Sequence, residues 1–129
     1  MSFPFFRQFV ILGLGAMLLA PALVSAKDAR ISFRKGAVQA EVVGTLPGLG
    51  VQRCYLANAR AGQHMRIEIV GDGATRGTLR FPSGQGDGQP GGLIYDDVLS
   101  ETGDYRICVE ESQMADPWAG KFVLKLYIK

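Results

Sequence analysis

From residue 30 onward, apolar side chains recur at every second position, and clusters of Gly or Pro interrupt them roughly every ten residues. In segment 65–69 the odd positions are apolar, and in segment 122–128 the even positions are apolar. The pattern predicts strands near residues 30–34, 37–44, 52–60, 64–70, 76–81, 92–95, 104–111 and 120–128. A strand with one apolar face buries it against another layer. The prediction is an all-β, antiparallel β-sandwich of about eight strands.

Two Gly-rich segments, 70–77 and 81–92, separate predicted strands and contain Asp72 and Asp87. A calcium loop is one reading, but calcium loops place oxygen ligands at alternating positions, and neither segment does so. The favoured interpretation is turn chemistry, in which Gly supplies positive φ and Asp bonds the nearby backbone. We therefore predict neither a metal site nor a cofactor.

The two cysteines fall in similar settings. If Tyr55 and Ala57 face the core, Cys54 faces outward. By the same alternation, Cys108 faces outward if Tyr105 faces the core. Two cysteines on one outer face of a sheet pair most simply across neighbouring strands in an oxidising compartment. A reactive thiol pair is the alternative, but no Cys-x-x-Cys spacing supports it. The prediction is a structural disulfide.

Residues suited to catalysis are sparse. The single histidine, His64, falls on the polar face of its strand, and no nucleophile-elbow motif occurs. The adjacent carboxylates Asp96-Asp97 and Glu110-Glu111 would point to opposite faces of a strand, so neither pair converges on one substrate bond. The chain is therefore predicted to be no enzyme and to act through a binding surface in its loops.

The first 26 residues have the pattern of a secretory signal peptide. Arg7 precedes an apolar stretch, and small residues end at Ala26, the predicted cleavage site. A membrane anchor is the alternative, but Pro21 breaks a stretch that falls short of the roughly 20 residues needed to span a bilayer. We expect a periplasmic protein with a single domain over residues 27–129, monomeric and free of the membrane after cleavage. The net charge of +2 gives no support to nucleic-acid binding.

Four segments together resemble a known family: "RISFRKGAVQAEVVGTL", "YLANARAGQHMRIEI", "TGDYRICV" and "KFVLKLYIK". They are similar to the small exported β-sandwich proteins that include the bacterial periplasmic inhibitors of g-type lysozyme. The pre-peptidase C-terminal domain is a broader relative with a similar Gly-x-Tyr turn. The resemblance implies a non-enzymatic inhibitor whose partner is a lysozyme and whose loops insert into the enzyme's cleft. The alternative is a periplasmic module that binds a protein or glycan without inhibition.

The resemblance also implies a contact surface. In the family, a Ser-Gly-x-Tyr turn and the loop before the last strand form one working edge, with basic side chains that meet the enzyme's carboxylates. Here the turn reads Thr102-Gly103-Asp104-Tyr105, whereas the loop, "EESQMADPWAG", is acidic. Basic contacts could instead come from Arg106, with Arg53 near it, and Trp118 could either touch the partner or plug the sandwich. The residues expected at the partner are Thr102, Gly103, Asp104, Tyr105, Arg106, Met114 and Trp118.

Overall fold

A computed structural model describes residues 28–129, so the predicted signal peptide, residues 1–26, lies outside the described residues. Within 28–129 no helix is long and apolar enough to cross a membrane. The described part is built of strands: β1 (Asp28–Arg30), β2 (Gln39–Leu46), β3 (Arg53–Ala59), β4 (His64–Gly71), β5 (Thr75–Arg80), β6 (Gly86–Pro90), β7 (Gly92–Val98), β8 (Gly103–Glu111) and β9 (Gly120–Ile128).

The strands form two sheets. One sheet has five strands in the order β1-β3-β8-β5-β6, and the other has four in the order β2-β9-β4-β7. Among residues 28–129, only β1 and β3 pair in parallel, and the remaining pairs are antiparallel. The predicted antiparallel β-sandwich is confirmed.

Alternating side chains build the core between the sheets. Ile67 of β4 and Leu124 of β9 are fully buried from the four-stranded side, and Tyr105 and Ile107 of β8 are fully buried from the five-stranded side. Each buried aliphatic side chain contributes about 1.5–3 kcal/mol of transfer free energy. On the opposite face of β4, His64 is exposed and contacts Asp96, as the polar phase of that strand predicts.

The predicted strand at 30–34 is wrong. β1 ends at Arg30, and the following residues cross from the five-stranded sheet to β2 in the other sheet. The last ladder-like contact is the N–H of Ile31, which donates to the Leu56 carbonyl at 2.8 Å. Ile31 and Phe33 pack against the core. The apolar alternation of Ile31 and Phe33 therefore reflects side chains that pack into the core from a connection and not from a strand.

The prediction of a loop throughout 81–92 is also wrong. Residues 86–90 form β6, which pairs with β5 from Gly86 opposite Arg80 to Pro90 opposite Arg76. The alternating pattern could not reveal it, because an exposed edge strand can consist of Gly and Pro without an apolar face. The sandwich accordingly has nine strands and not eight.

Candidate functional site

The two ends of the sandwich carry opposite charge. One end holds the connections 31–38, 60–63, 81–85 and 99–102, which contain Arg34, Lys35 and Arg60 and one acid, Glu101; three minus one gives +2. The other end holds connections 47–52, 72–74, 91 and 112–119, which contain two acids and no basic residue, giving −2. We call these the basic end and the acidic end.

The Thr102–Tyr105 turn lies at the basic end, where it enters β8. Gly103 has φ of +146°, and a Cβ there would lie 3.0 Å from Cβ of Pro82. Tyr105 is fully buried, and its hydroxyl donates to the Glu101 carbonyl at 2.7 Å. Both residues thus hold the bend, and the Tyr105 side chain supports the turn from inside the core.

Neighbouring turns lock the basic end together. The N–H of Ala61 donates to Oγ1 of Thr102 at 2.9 Å. The N–H and Oγ of Ser83 donate to the Glu101 carboxylate at 2.7 and 2.9 Å. Since these bonds join segments far apart in sequence, the turns form one supported platform instead of separate loops.

Three basic side chains extend from the basic end. Arg34 and Lys35 lie in a turn closed by the Ala37 N–H, which donates to the Arg34 carbonyl at 2.8 Å. Gly36 takes φ of +80° at the turn's third position, as a type II turn requires. Arg60 begins the turn 60–63. All three basic residues are exposed, and no ion pair among residues 28–129 involves them.

Asp104 is held by a basic partner. Arg30 donates to both of its carboxylate oxygens, at 3.0 and 2.8 Å, and Asn58 Nδ2 donates to Oδ1 at 3.1 Å. These hydrogen bonds, that from Arg30 first, lower the pKa of Asp104 to about 2. The exposed carboxylate is therefore neutralised locally, and it fixes the end of β1 against β3 and β8.

Arg106 lies on the outer face of the five-stranded sheet, as predicted, but it is already paired. Its Nε lies 3.0 Å from Oδ2 of Asp28. Arg53 is at the other end of β3, where its Nε donates to the Thr45 carbonyl at 3.1 Å. The two arginines therefore anchor β1 and β2 and do not form a free basic patch.

The disulfide is confirmed. Cys54 and Cys108 lie directly opposite each other in the β3–β8 pair and are bonded. They are on the outer face, as the strand phase predicts, but only 7% and 4% exposed. Neither belongs to the core between the sheets. The disulfide therefore joins two interior strands of the five-stranded sheet from outside the core.

Trp118 and Met114, in connection 112–119 at the acidic end, behave differently from each other. The Trp118 ring lies against Gly73, where a Cβ would come within 2.7 Å of it, and its Nε1 donates to the Ala74 carbonyl at 2.8 Å. Its backbone N–H donates to the buried carboxylate of Glu111 at 3.1 Å. Trp118 thus makes the contacts expected of a side chain that plugs the end of the sandwich. Met114, by contrast, is 96% exposed.

The structure does not bring the predicted contact residues together. Thr102 and Asp104 lie at the start of β8, whereas Met114 and Trp118 follow its end. Nine residues at about 3.3 Å each separate the two groups by roughly 25 Å. Residues 102–118 therefore do not form one edge, because β8 runs the full length of the sandwich between the two groups.

Sequence reasoning missed Arg34, Lys35 and Arg60. They come from two connections separated in the chain, and only the strand order places them at the end that carries the Thr102–Tyr105 turn. The available signal for an exposed basic turn was the pair of basic residues before Gly36. A Lys-Gly pair at the centre of a turn presents the lysine side chain outward.

The aspartates of the Gly-rich segments bond to backbone. Oδ2 of Asp72 accepts from the Lys121 N–H at 2.8 Å, and Oδ1 of Asp87 accepts from the Gly88 N–H at 2.9 Å. Among residues 28–129, no group of three His, Cys, Asp or Glu side chains is placed to hold a metal ion. Their carboxylates therefore act within the turns and the ladder.

Comparison with known proteins identifies the fold. No protein-family model and no curated protein matches the chain. The chain is similar to PliG of Aeromonas hydrophila, a periplasmic lysozyme inhibitor of g-type lysozyme, with TM-score 0.69 and 22% identity over 80% of this chain and 96% of that one. The corresponding inhibitor of Salmonella Typhimurium gives a TM-score of 0.62 and 22% identity over 80% of this chain and 98% of that one. A mutant of the Escherichia coli inhibitor gives a TM-score of 0.61 and 20% identity over 79% of this chain and 97% of that one. The predicted resemblance is confirmed for the fold.

Proposed function

We propose that the protein is an exported, non-enzymatic inhibitor of a lysozyme, with g-type lysozyme as its target. The observation that carries this proposal is the likeness to three structures of such inhibitors over 96–98% of their own length. A shared fold alone does not define a function, so the contact surface has to supply chemistry of its own.

The basic end supplies that chemistry. Glycoside hydrolases act through a pair of carboxyl groups that flank the scissile bond. Arg34, Lys35 and Arg60 have no carboxylate partner among the described residues, so their donors are available to such groups. The Thr102–Tyr105 turn lies at the same end. Turns 34–37 and 60–63 would insert into the cleft and occupy it with positive charge.

The inhibitor acts in the periplasm under this proposal. The N-terminal segment would direct export as a signal peptide. The Cys54–Cys108 disulfide is of the kind that forms in oxidising compartments. A periplasmic inhibitor would protect the cell wall at the place where lysozyme reaches it.

The proposal is tested by titrating the purified, oxidised protein into g-, c- and i-type lysozymes while the clearing of a cell-wall suspension is followed. The protein should come from the periplasm of cells that express the full chain. We expect near-stoichiometric loss of g-type activity, with the other two enzymes retaining theirs.

Two results would contradict the proposal. Equal inhibition of all three enzymes would indicate nonspecific charge binding, which high salt would remove. Full activity of all three would leave the alternative, a periplasmic protein- or glycan-binding module that uses the same fold without inhibition.

A further inference from the structure

Exposed edge strands differ in how well they are protected against pairing with another chain. Natural sheets protect their edges with short strands, Pro, bulges or charges. Here β1 has only three residues, and β6 consists of Gly86–Pro90 with two glycines and a proline. β7 has a register shift against β4 between Ile67 and Glu68, and it carries Asp96 and Asp97. Three of the four edges are therefore protected.

The fourth edge, β2, is the least protected, with one charged residue in the strand and one carbonyl covered by Arg53. Its eight residues pair with β9 without a register shift, and they include no Pro and no Lys. Glu41 is its single charge. Val43, on the outer face, is 66% exposed. A long, regular strand of this kind is an open template for another strand.

The backbone groups on the open side of β2 can be assigned from its neighbours. In antiparallel pairs, residues alternate between bonding the partner strand and pointing away from it. The Ile128 N–H donates to the Val38 carbonyl at 2.9 Å, which places the even-numbered residues on the β9 side. The Thr45 carbonyl instead accepts from Arg53. The N–H and C=O groups of Glu41 and Val43 therefore point away from β9.

We infer that β2 is a self-association surface that pairs antiparallel with β2 of a second copy, about a two-fold axis at Val43. In this register Val43 lies opposite its symmetry mate, and Glu41 lies opposite Thr45 of the other copy. The pairing completes about four backbone hydrogen bonds, because the Thr45 carbonyl of each copy already accepts from Arg53. It ends at Pro47, which has no N–H to continue the ladder.

The charges on the outer face fit this register. Glu41 lies beside Lys125 of its own β9, and Thr45 lies beside Lys121. Across the two-fold axis, the side chains on the outer face then follow in the order Lys125, Glu41, Thr45 of the other copy and Lys121 of the other copy. Each Glu41 therefore has a lysine on either side. No like charges face each other, and the two valines form a cross-strand pair of the type that stabilises sheets.

The contact is small. A single strand pair buries less than the roughly 1,200 Å² of a standard stable interface. The monomer that the sequence predicts therefore dominates at low concentration, and dimers form as the concentration rises. This surface is separate from the basic end, so the inference does not depend on the proposed inhibition.

Sedimentation equilibrium of the oxidised protein from about 10 μM to about 1 mM tests the inference. We expect a reversible monomer–dimer equilibrium. The Val43→Lys variant should weaken association at least about tenfold, because it places two ammonium groups opposite each other. Val98→Lys is the matched control: Val98 is 58% exposed on the protected edge β7, and its variant should associate as the wild type does.

Amide chemical shifts provide a readout that needs no variant. Raising the concentration should shift the amide resonances of Glu41, Val43 and Thr45 more than those of the other edges. A protein that stays monomeric throughout the range overturns the inference. Equal effects of Val43→Lys and Val98→Lys, or shifts that map to another edge, overturn it as well.

Discussion

Gly103 is restricted in two ways, by its backbone conformation and by its neighbour. Its φ of +146° is unfavourable for any residue with a Cβ, and that Cβ would meet Pro82 at 3.0 Å. Gly36, at φ of +80°, has the backbone restriction alone, because nothing lies within 4 Å of its would-be Cβ. Gly36 therefore reports the cost of a positive φ without crowding, whereas Gly103 combines a more extreme φ with a close neighbour.

The Gly103→Ala variant should lower the free energy of unfolding by about 2–3 kcal/mol, and Gly36→Ala by about 1 kcal/mol. Urea denaturation measures both. Equal losses in the two variants would show that contact with Pro82 adds nothing to the strain.

Asp104 offers a prediction of pH dependence. Its pKa of about 2 in the folded protein is lower than its ordinary value of 3.8. A lowered folded-state pKa contributes stability that is present above about pH 4 and is lost as the pH falls through about 2. Arg30→Met removes the main cause, so the pKa of Asp104 should rise toward 3.8. Carbon NMR titration of the Asp104 carboxyl measures this, and an unchanged pKa would contradict the role of Arg30.

At the scale of elements, the disulfide joins strands that are already aligned. Cys54 and Cys108 sit within seven consecutive pairs of β3 and β8, 54 residues apart in sequence. Replacing both with Ala should keep the fold and lower the free energy of unfolding by about 4 kcal/mol, since the unfolded chain loses its cross-link. Urea denaturation of the double variant and the oxidised protein gives the difference. A loss below about 1 kcal/mol would contradict this estimate.

The sequence revealed the elements whose burial follows a simple period. β4 and β9 each have one face in the core and one in water, so alternation alone located them. β6 was missed, because an exposed Gly-rich edge has no such period. The segment after Arg30 was mistaken for a strand, because Ile31 and Phe33 enter the core without pairing. Periodicity reports burial, and hydrogen-bonded pairing has to be inferred from it.

The candidate site was less accessible from the sequence. The inward phase of Tyr105 was local enough to predict, since it depends only on the alternation along its own strand. The grouping of Arg34 and Arg60 depends on which connections share an end of the sandwich, and that is a property of strand order. The length of β8 separates Thr102 from Trp118, which the family resemblance had placed on one edge.

For the whole molecule, the central feature is the opposite charge of the two ends, +2 and −2 over their connections. An inhibitor that meets a carboxylate-containing cleft should present the basic end and turn the acidic end away. The account therefore predicts which end a lysozyme contacts, and not only that binding occurs.

The most direct measurement compares charge reversals at the two ends by the concentration needed for half-inhibition of g-type lysozyme. Arg60→Glu alters the basic end, and Lys121→Glu makes the same charge change at the start of β9, beside the acidic end. We expect Arg60→Glu to raise that concentration at least about tenfold and Lys121→Glu to change it less than about twofold. Unaltered inhibition by Arg60→Glu together with a large loss for Lys121→Glu would contradict the account.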